Sequence, residues 1–335
     1  MTTVAVVGVG SWGKNLARNY YEIPQCELKY VCDVDESNLA RLRAQMTGPK
    51  FVSEYAEVLR DPDLQAVVIA TPAPMHYDFC KRALAEGKDV YVEKPFVLRV
   101  RDAEELVEIA ESQGRILMVG HLLEYHPVVN RLKELIESGE LGDVYYVYNQ
   151  RLNLGTVRGD ENALWNFAPH DISSILYMLG REPTDVAARG QCYLQGGIED
   201  VVFLTMNFGD HMMAHVHVSW LDPHKIRKTT IVGSKKMAVF DDLEANEKLK
   251  IYDKGAASLA DYDSFAEYVT LRFGDITIPY VKMTEPLRLE CLHFLECVRE
   301  RKKPVSDGRD GLRVIKVLDA AQRSLKNKGL PVEIR

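Results

Sequence analysis

Six residues limit this chain more than any others. Gly8-Val9-Gly10-Ser11-Trp12-Gly13 follows the β-type run TVAVVG (3–8) and opens a helical pattern. In that setting the three glycines have separable duties. Gly8 permits a tight turn, Gly10 lets the backbone approach a pyrophosphate, and Gly13 allows a helix to pack close to a strand. The free N–H groups and positive dipole end of the following helix suit phosphate. Asp33 ends the next β-type run, LKYVCD (28–33), 20 residues past Gly13. An acid there accepts hydrogen bonds from the adenosine ribose hydroxyls and repels a 2′-phosphate, so the pattern predicts NAD in preference to NADP.

The surrounding sequence supports a sheet around this turn. β-rich runs at 3–8, 28–33, 66–71, 89–93 and 115–120 alternate with helical patterns near 13–21, 37–46, 53–60, 75–86 and 102–113. Near-continuous Val/Ile strands are those buried on both faces of a parallel sheet. The alternation predicts a doubly wound α/β, or Rossmann, domain over 1–122. The texture changes after Gly120. Helices at 127–138, closed by Gly139, and from near Pro169 precede strands at 183–194, 199–208, 211–221, 226–240 and 246–252. Helices near 285–301 and 309–328 follow. Consecutive strands predict a large, mostly antiparallel sheet, so 123–335 reads as a second α/β domain.

Composition narrows the function classes. The 335 residues are 46% hydrophobic, enough for a sizeable core without staples. A net charge of −7 and a pI near 5.8 argue against a dedicated nucleic-acid or anionic-membrane binder. No apolar run approaches the roughly 18 residues of a membrane span, and MTTVAVVGVG has no basic region of a signal peptide. Cys26, Cys32, Cys80, Cys192, Cys291 and Cys297 show no CxxC spacing, which predicts reduced, mostly buried thiols, a cytoplasmic protein and no zinc.

The C-terminal ends of strands in an open α/β sheet carry the ligand. Thr71-Pro72 ends one strong run, with His76 a few residues on. YVEKPF (91–96) ends another and delivers Lys94 to the same edge. A lysine beside NAD in a desolvated cleft has its ammonium form disfavoured, and can polarise a substrate hydroxyl or shuttle its proton. The cofactor set is therefore Gly8, Gly10, Ser11, Trp12, Gly13, Asp33, Thr71, Pro72, His76, Glu93 and Lys94.

GVGSWG, CDVD, ATPAPMH, VEKPF and the C-terminal EPLRLECLHFLECVRERKKPVSDGRDGLRVIKVLDAAQRSL together resemble the Gfo/Idh/MocA family over nearly the whole chain. The resemblance implies a Rossmann domain followed by an α/β domain with a large, mostly antiparallel sheet. It implies oxidation or reduction of a sugar or cyclitol hydroxyl with NAD(P), and a homodimer or homotetramer formed through the open sheet face. It makes Lys94 the EKP lysine near the reacting hydroxyl. It also supplies a second catalytic residue, a histidine at the start of a helix in the second domain.

The matching stretch is LWNFAPHDISSILYMLG (164–180). Pro169 suits a first helical position, which would place His170 in the first turn, where the positive dipole end keeps imidazole neutral and ready to accept a proton. Inositol dehydrogenase relatives carry an aspartate four residues earlier. Here it is Asn166, whose amide can orient His170 or bind a hydroxyl but cannot take a proton. GHLLEYHP (120–127) departs too, with Leu122, Leu123 and Glu124 where many relatives place an amide and basic residues.

NLGTVRGDENALWNFAPHDIS (153–173) resembles the subset that acts on nucleotide sugars, UDP-N-acetylglucosamine 3-dehydrogenases among them. On that reading Arg158 is the candidate for the diphosphate or a sugar oxygen. Lys225, Arg227 and Lys228 are weaker candidates and fit better as a solvated strand edge or subunit contact. Trp165 fits core better than a stacking role on uracil. His211, His215 and His217, all odd-numbered, would share one strand face, and suit an interface better than a metal. The expected activity is NAD-dependent oxidation of a nucleotide sugar, at carbon 3, by His170 assisted by Lys94. The alternatives are a free-sugar, inositol or other cyclitol dehydrogenase and, in another class, a non-catalytic NAD-binding regulator.

Overall fold

The computed structural model describes residues 1–258 and 269–334. The chain divides into two units, Met1–Tyr125 with Thr284–Ile315, and His126–Met283 with the chain from Lys316 on. The return of 284–315 to the first unit is a feature that a single division of the sequence does not contain.

In the first unit β1 (Thr2–Val7), β2 (Cys26–Cys32), β3 (Lys50–Val52), β4 (Ala66–Ile69), β5 (Asp89–Val92) and β6 (Leu117–Val119) form a parallel sheet in the order β3-β2-β1-β4-β5-β6. β4 and β5 are buried along their whole length, as their continuous apolar runs require. The helices are α1 (Gly13–Glu22), α2 (Glu36–Arg43), α3 (Tyr55–Leu59), α4 (His76–Ala85) and α5 (Val100–Ser112). In α5 the buried Ala103, Leu106, Val107 and Ala110 recur at helical spacing and make one apolar stripe. Each large side chain so buried contributes about 1.5–3 kcal/mol. The strand order reverses between β1 and β4, which opens a crevice outside their C-terminal ends.

The second unit opens with α6 (Pro127–Glu137), then β7 (Val144–Leu152), α7 (Ala163–Leu179), β8 (Asp185–Gln191), β9 (Val201–Asn207), β10 (Met213–Ser219), β11 (Ile226–Gly233), β12 (Met237–Asp241), β13 (Leu249–Ser258) and β14 (Val269–Thr277). α8 (Pro286–Glu300) belongs to the first unit, where Phe294 sets its ring edge-on to Tyr20 at 6.5 Å and to Tyr91 at 5.8 Å. α9 (Gly308–Lys326) and β15 (Val332–Glu333) follow. The nine strands run β14-β13-β12-β11-β7-β10-β9-β8-β15, all antiparallel among the described residues except β7 with β10. α7 packs on β7, β9 and β10, with α6 beside it.

Three expectations are corrected. The run 226–240 is two strands, β11 and β12, folded back on each other. His211 precedes β10 and has a φ of 63°, so only His215 and His217 share the strand. His217 stacks on Phe203 at 4.2 Å. Finally, α7 starts at Ala163 and not near Pro169. Its N-cap is Asn162, whose side chain accepts from the Trp165 N–H at 3.1 Å.

Candidate active site

Two sets of side chains carry chemistry, one in each unit. In the first unit Gly8 has a φ of 83°, and a Cβ there would lie 2.7 Å from the Thr71 nitrogen. A Cβ on Gly13 would strike the Gly8 carbonyl oxygen at 1.8 Å. Gly10 differs, because a Cβ there meets nothing within 4 Å. Gly8 and Gly13 are thus fixed by internal packing, whereas Gly10 leaves open backbone at the start of α1, where a dinucleotide's pyrophosphate fits. Ser11 is exposed beside it.

Asp33 holds this loop. Its Oδ2 accepts from the Val9 N–H at 2.7 Å and from Asn38 Nδ2 at 3.3 Å, and its Oδ1 accepts from the Asp35 N–H at 2.8 Å. A carboxylate has about four acceptor sites, so one remains for a ribose hydroxyl. The residues present therefore fit NAD.

Lys94 follows β5, and its peptide bond to Pro95 is cis. Glu93 faces inward. Its Oε1 accepts from Trp12 Nε1 at 2.6 Å and the Tyr91 hydroxyl at 3.2 Å, and Oε2 accepts from the Lys94 N–H at 3.2 Å. Burial pushes the Glu93 carboxyl up, against the pull of Trp12 and Lys94. Gly120 is small of necessity here, since a Cβ would come within 2.7 Å of the Tyr91 hydroxyl.

His76 is corrected from cofactor contact to internal brace. It is buried, with Nδ1 2.9 Å from the Pro95 carbonyl and Nε2 2.8 Å from the Thr71 carbonyl. Both ring nitrogens are engaged within the protein, and the ring joins the turns carrying Thr71-Pro72 and Lys94. Burial disfavours its charged form, although two carbonyl neighbours favour it.

Glu124 turns inward as well. His121 Nδ1 lies 2.7 Å from Asp310 Oδ2 and 3.2 Å from Glu124 Oε1, and Arg313 pairs with Asp310. Burial alone would lower the His121 pKa, but its bonds to Asp310 and Glu124 lift it to about 10. Burial, then the charge of Asp310, pushes Glu124 up to about 8. These three residues are the only metal-type donor group found among the described residues, with ligand atoms within 4.8 Å of one another. The imidazolium and Arg313 both pair with Asp310, and Glu124 lies against the imidazolium.

Two clefts of about 320 and 620 Å³ share Arg115 and Arg301. They open near Asp89 and Ile116, at the N-terminal ends of β5 and β6, away from Lys94.

In the second unit the site residues ride on α7. His170 is the eighth residue of the helix, so it lies beyond the first turn, where the dipole acts, and the expected electrostatic reason for a neutral imidazole fails. Pro169 sits inside the helix and removes one main-chain bond. Asn166 and His170 are four apart and Phe167 and His170 three apart, so all three lie on one side of α7. The Asn166 amide is fixed: Nδ2 donates to Glu161 Oε1 at 2.5 Å, and Oδ1 accepts from Trp220 Nε1 at 3.3 Å. Arg158 is half-exposed, with Glu161 at 3.7 Å. Trp165 is half-buried, and its Nε1 donates to Gln322 at 3.1 Å.

Arg151 and Asp171 join this set, and nothing in the sequence reading singled them out. Arg151 grips Asp171 through Nε and Nη2 at 2.6 and 3.1 Å. Their partnership depends on β7 lying beside α7, a long-range placement with no local signature.

Residues 2–121 match the family described as "Oxidoreductase family, NAD-binding Rossmann fold", and residues 129–239 match the "GFO/IDH/MocA C-terminal domain". The scyllo-inositol 2-dehydrogenase (NAD(+)) of Bacillus subtilis is 26% identical, over 98% of this chain and 95% of its own. The UDP-N-acetylglucosamine 3-dehydrogenase of Acidithiobacillus ferrooxidans is also 26% identical, over 92% of this chain and 93% of its own. The solved structure of GenD2 from gentamicin A biosynthesis, in complex with NAD, superposes with a TM-score of 0.83 at 24% identity, covering 100% of this chain and 96% of that one.

Proposed function

The chain belongs to the Gfo/Idh/MocA family of NAD-binding oxidoreductases that act on sugar or cyclitol hydroxyls, and from that premise we propose that it oxidises carbon 3 of a nucleotide sugar. The substrate class is UDP-N-acetylglucosamine or its uronate. The observation that carries this reading is the Asn166 amide, fixed between Glu161 and Trp220 four residues before His170. It puts a proton-inert group where the inositol-type pattern has a carboxylate.

NAD, when bound, supplies the hydride acceptor. Gly10 and the first turn of α1 would hold its pyrophosphate, and Asp33 its adenosine ribose. Lys94 is assigned to polarise the reacting hydroxyl, and His170 to accept its proton as carbon–hydrogen cleavage proceeds. Asn166 orients the histidine or a neighbouring substrate hydroxyl. Positioning by these groups accounts for most of the protein's share of the rate. The sheet face bearing Tyr146, Tyr148, Phe203, His215 and His217 is assigned to self-association.

A cyclitol substrate is the second reading, favoured by the equal identity to the scyllo-inositol enzyme. The deciding assay mixes the protein with NAD⁺, UDP-N-acetylglucosamine and a carbonyl trap, and follows NADH absorbance. The expected result is a rise that Lys94→Ala reduces by about 10²–10⁴-fold while NAD binding persists. A rise only with inositol installs the second reading. Flat traces with the uronate, free sugars and inositol as well, with NAD bound, replace both readings with a non-catalytic regulator.

A further inference from the structure

Arg227 is placed unlike the two lysines beside it in sequence. Lys225 is exposed, and Lys228 pairs with Asp241 at 3.1 Å. Arg227 lies directly opposite Arg151 in the β11–β7 pairing, and its guanidinium carbon sits 5.3 Å from the centre of the Phe167 ring. Phe167 is three residues before His170 on α7, so the ring that carries the cation belongs to the helical turn next to the histidine.

Its hydrogen bonds all go to neutral acceptors. Nη1 donates to the Leu152 and Ile226 carbonyls at 3.3 and 3.0 Å, and Nη2 donates to Asn153 Oδ1 at 3.2 Å. No carboxylate lies within ion-pair distance of it among the described residues. Asp171 is gripped by Arg151, and Asp242 is engaged by His126 and Lys248. Burial, and then the neighbouring Arg151 cation, pull the Arg227 pKa down to about 10. Asp171 and Asp242 favour the charge from beyond ion-pair distance, so a half-buried guanidinium whose direct contacts are dipoles and an aromatic face gains from an oxyanion. Of its five N–H groups, three are used. The Nε–H and one Nη2 hydrogen remain, on the same pair of nitrogens with which Arg151 grips Asp171.

We propose that Arg227 is the anion-reading, specificity-determining residue of this site, and that it holds a carboxylate or phosphate oxyanion of the substrate beside Phe167 of α7. The inference deepens the nucleotide-sugar reading and rests on it for the identity of the substrate. It moves anion recognition away from Arg158, which already has Glu161 beside it.

Binding is measured by calorimetry on the NAD-saturated protein with UDP, with D-glucuronate and with uncharged N-acetylglucosamine as probes. Wild type is compared with Arg227→Gln and Arg227→Lys, each checked by thermal melting. The expected result is a Kd raised at least about tenfold in Arg227→Gln for one anion, an intermediate value in Arg227→Lys, and no change for the uncharged sugar. Weakening of UDP assigns the phosphate, and weakening of glucuronate assigns the carboxylate. Wild-type affinity of folded Arg227→Gln for both anions overturns the proposal, as do equal losses for the uncharged sugar or no anion binding to wild type. Turnover is not part of this readout, so a failed dehydrogenase assay and a failed anion site are told apart.

Discussion

The Trp12 indole Nε1–H donates to Glu93 Oε1 at 2.6 Å, and that bond ties the glycine-rich loop after β1 to the turn after β5 that carries Lys94. The same oxygen takes the Tyr91 hydroxyl. Glu93→Ala leaves a buried phenol and a partly buried indole without their acceptor, a cost of about 1–3 kcal/mol for each group left unpaired. The expected outcome is a lower melting temperature and a KM for NAD⁺ raised about tenfold. Glu93→Gln keeps an acceptor oxygen and should recover most of the melting temperature. An unchanged NAD⁺ KM in Glu93→Ala would remove the functional link between the two loops.

Gly10 and Gly13 separate binding from folding. Alanine at Gly10 meets no atom within 4 Å, so the protein should melt as wild type does. Its methyl then occupies the open space assigned to the pyrophosphate, and NAD⁺ affinity should fall by at least about tenfold. Alanine at Gly13 runs into the main chain at Gly8, where nothing flexible can give way, so its melting temperature should fall sharply. Calorimetric NAD⁺ titration and thermal melts of both variants check this. A Gly10→Ala protein that binds NAD⁺ normally would reassign that glycine.

The first unit was legible because its signals are local. Val/Ile runs, the spaced glycines and Asp33 state strand, turn and ligand edge within a few residues of each other. For His76 the sequence shows a polar residue at a helix start but not the two carbonyls, Thr71 and Pro95, that converge on it. The second unit hid more. β7 is the centre of its sheet, yet it was not among the expected strands. Its alternation of Val and Tyr gives way to Asn149, Gln150 and Arg151, where Asn149 and Arg151 face Asp171 instead of apolar core. Pro169 resembles a first helical residue, while the true start signal of α7 is Asn162 capping the Trp165 N–H. Arg227 reads with its lysine neighbours as one basic cluster, and only the start of β11 after Lys225 and the pairing with β7, which puts Lys228 on the other face, separate it from them.

Asp33 holds the Val9 N–H, and it is the residue assigned to the adenosine ribose. Removing a hydrogen bond to a charged group costs about 1.5–3 kcal/mol, or roughly 10–150-fold in affinity. Asp33→Ala should therefore lower kcat/KM with NAD⁺ by at least about tenfold. It should also narrow the preference over NADP⁺, because the carboxylate no longer repels a 2′-phosphate. Steady-state kinetics with both cofactors measure the ratio. A ratio unchanged in Asp33→Ala would place discrimination elsewhere.

The His121–Glu124–Asp310 cluster predicts a pH dependence of stability. His121 is lifted from its ordinary 6.5 to about 10, so its contribution is complete below about pH 6.5 and is lost as pH rises toward 10. Glu124 is lifted from 4.5 to about 8, and its contribution is lost over that rise in the same direction. Asp310 is held below its ordinary 3.8 by His121 and Arg313, which outweigh burial, so its opposite effect is confined to more acidic pH. From about pH 5 upward the cluster therefore favours the folded state less and less. Glu124→Gln mimics the protonated carboxyl and has no proton to lose. Thermal melts from about pH 5 to about pH 9 should show a steeper fall for wild type than for Glu124→Gln. Parallel curves for the two proteins would mean that Glu124 does not titrate in this range.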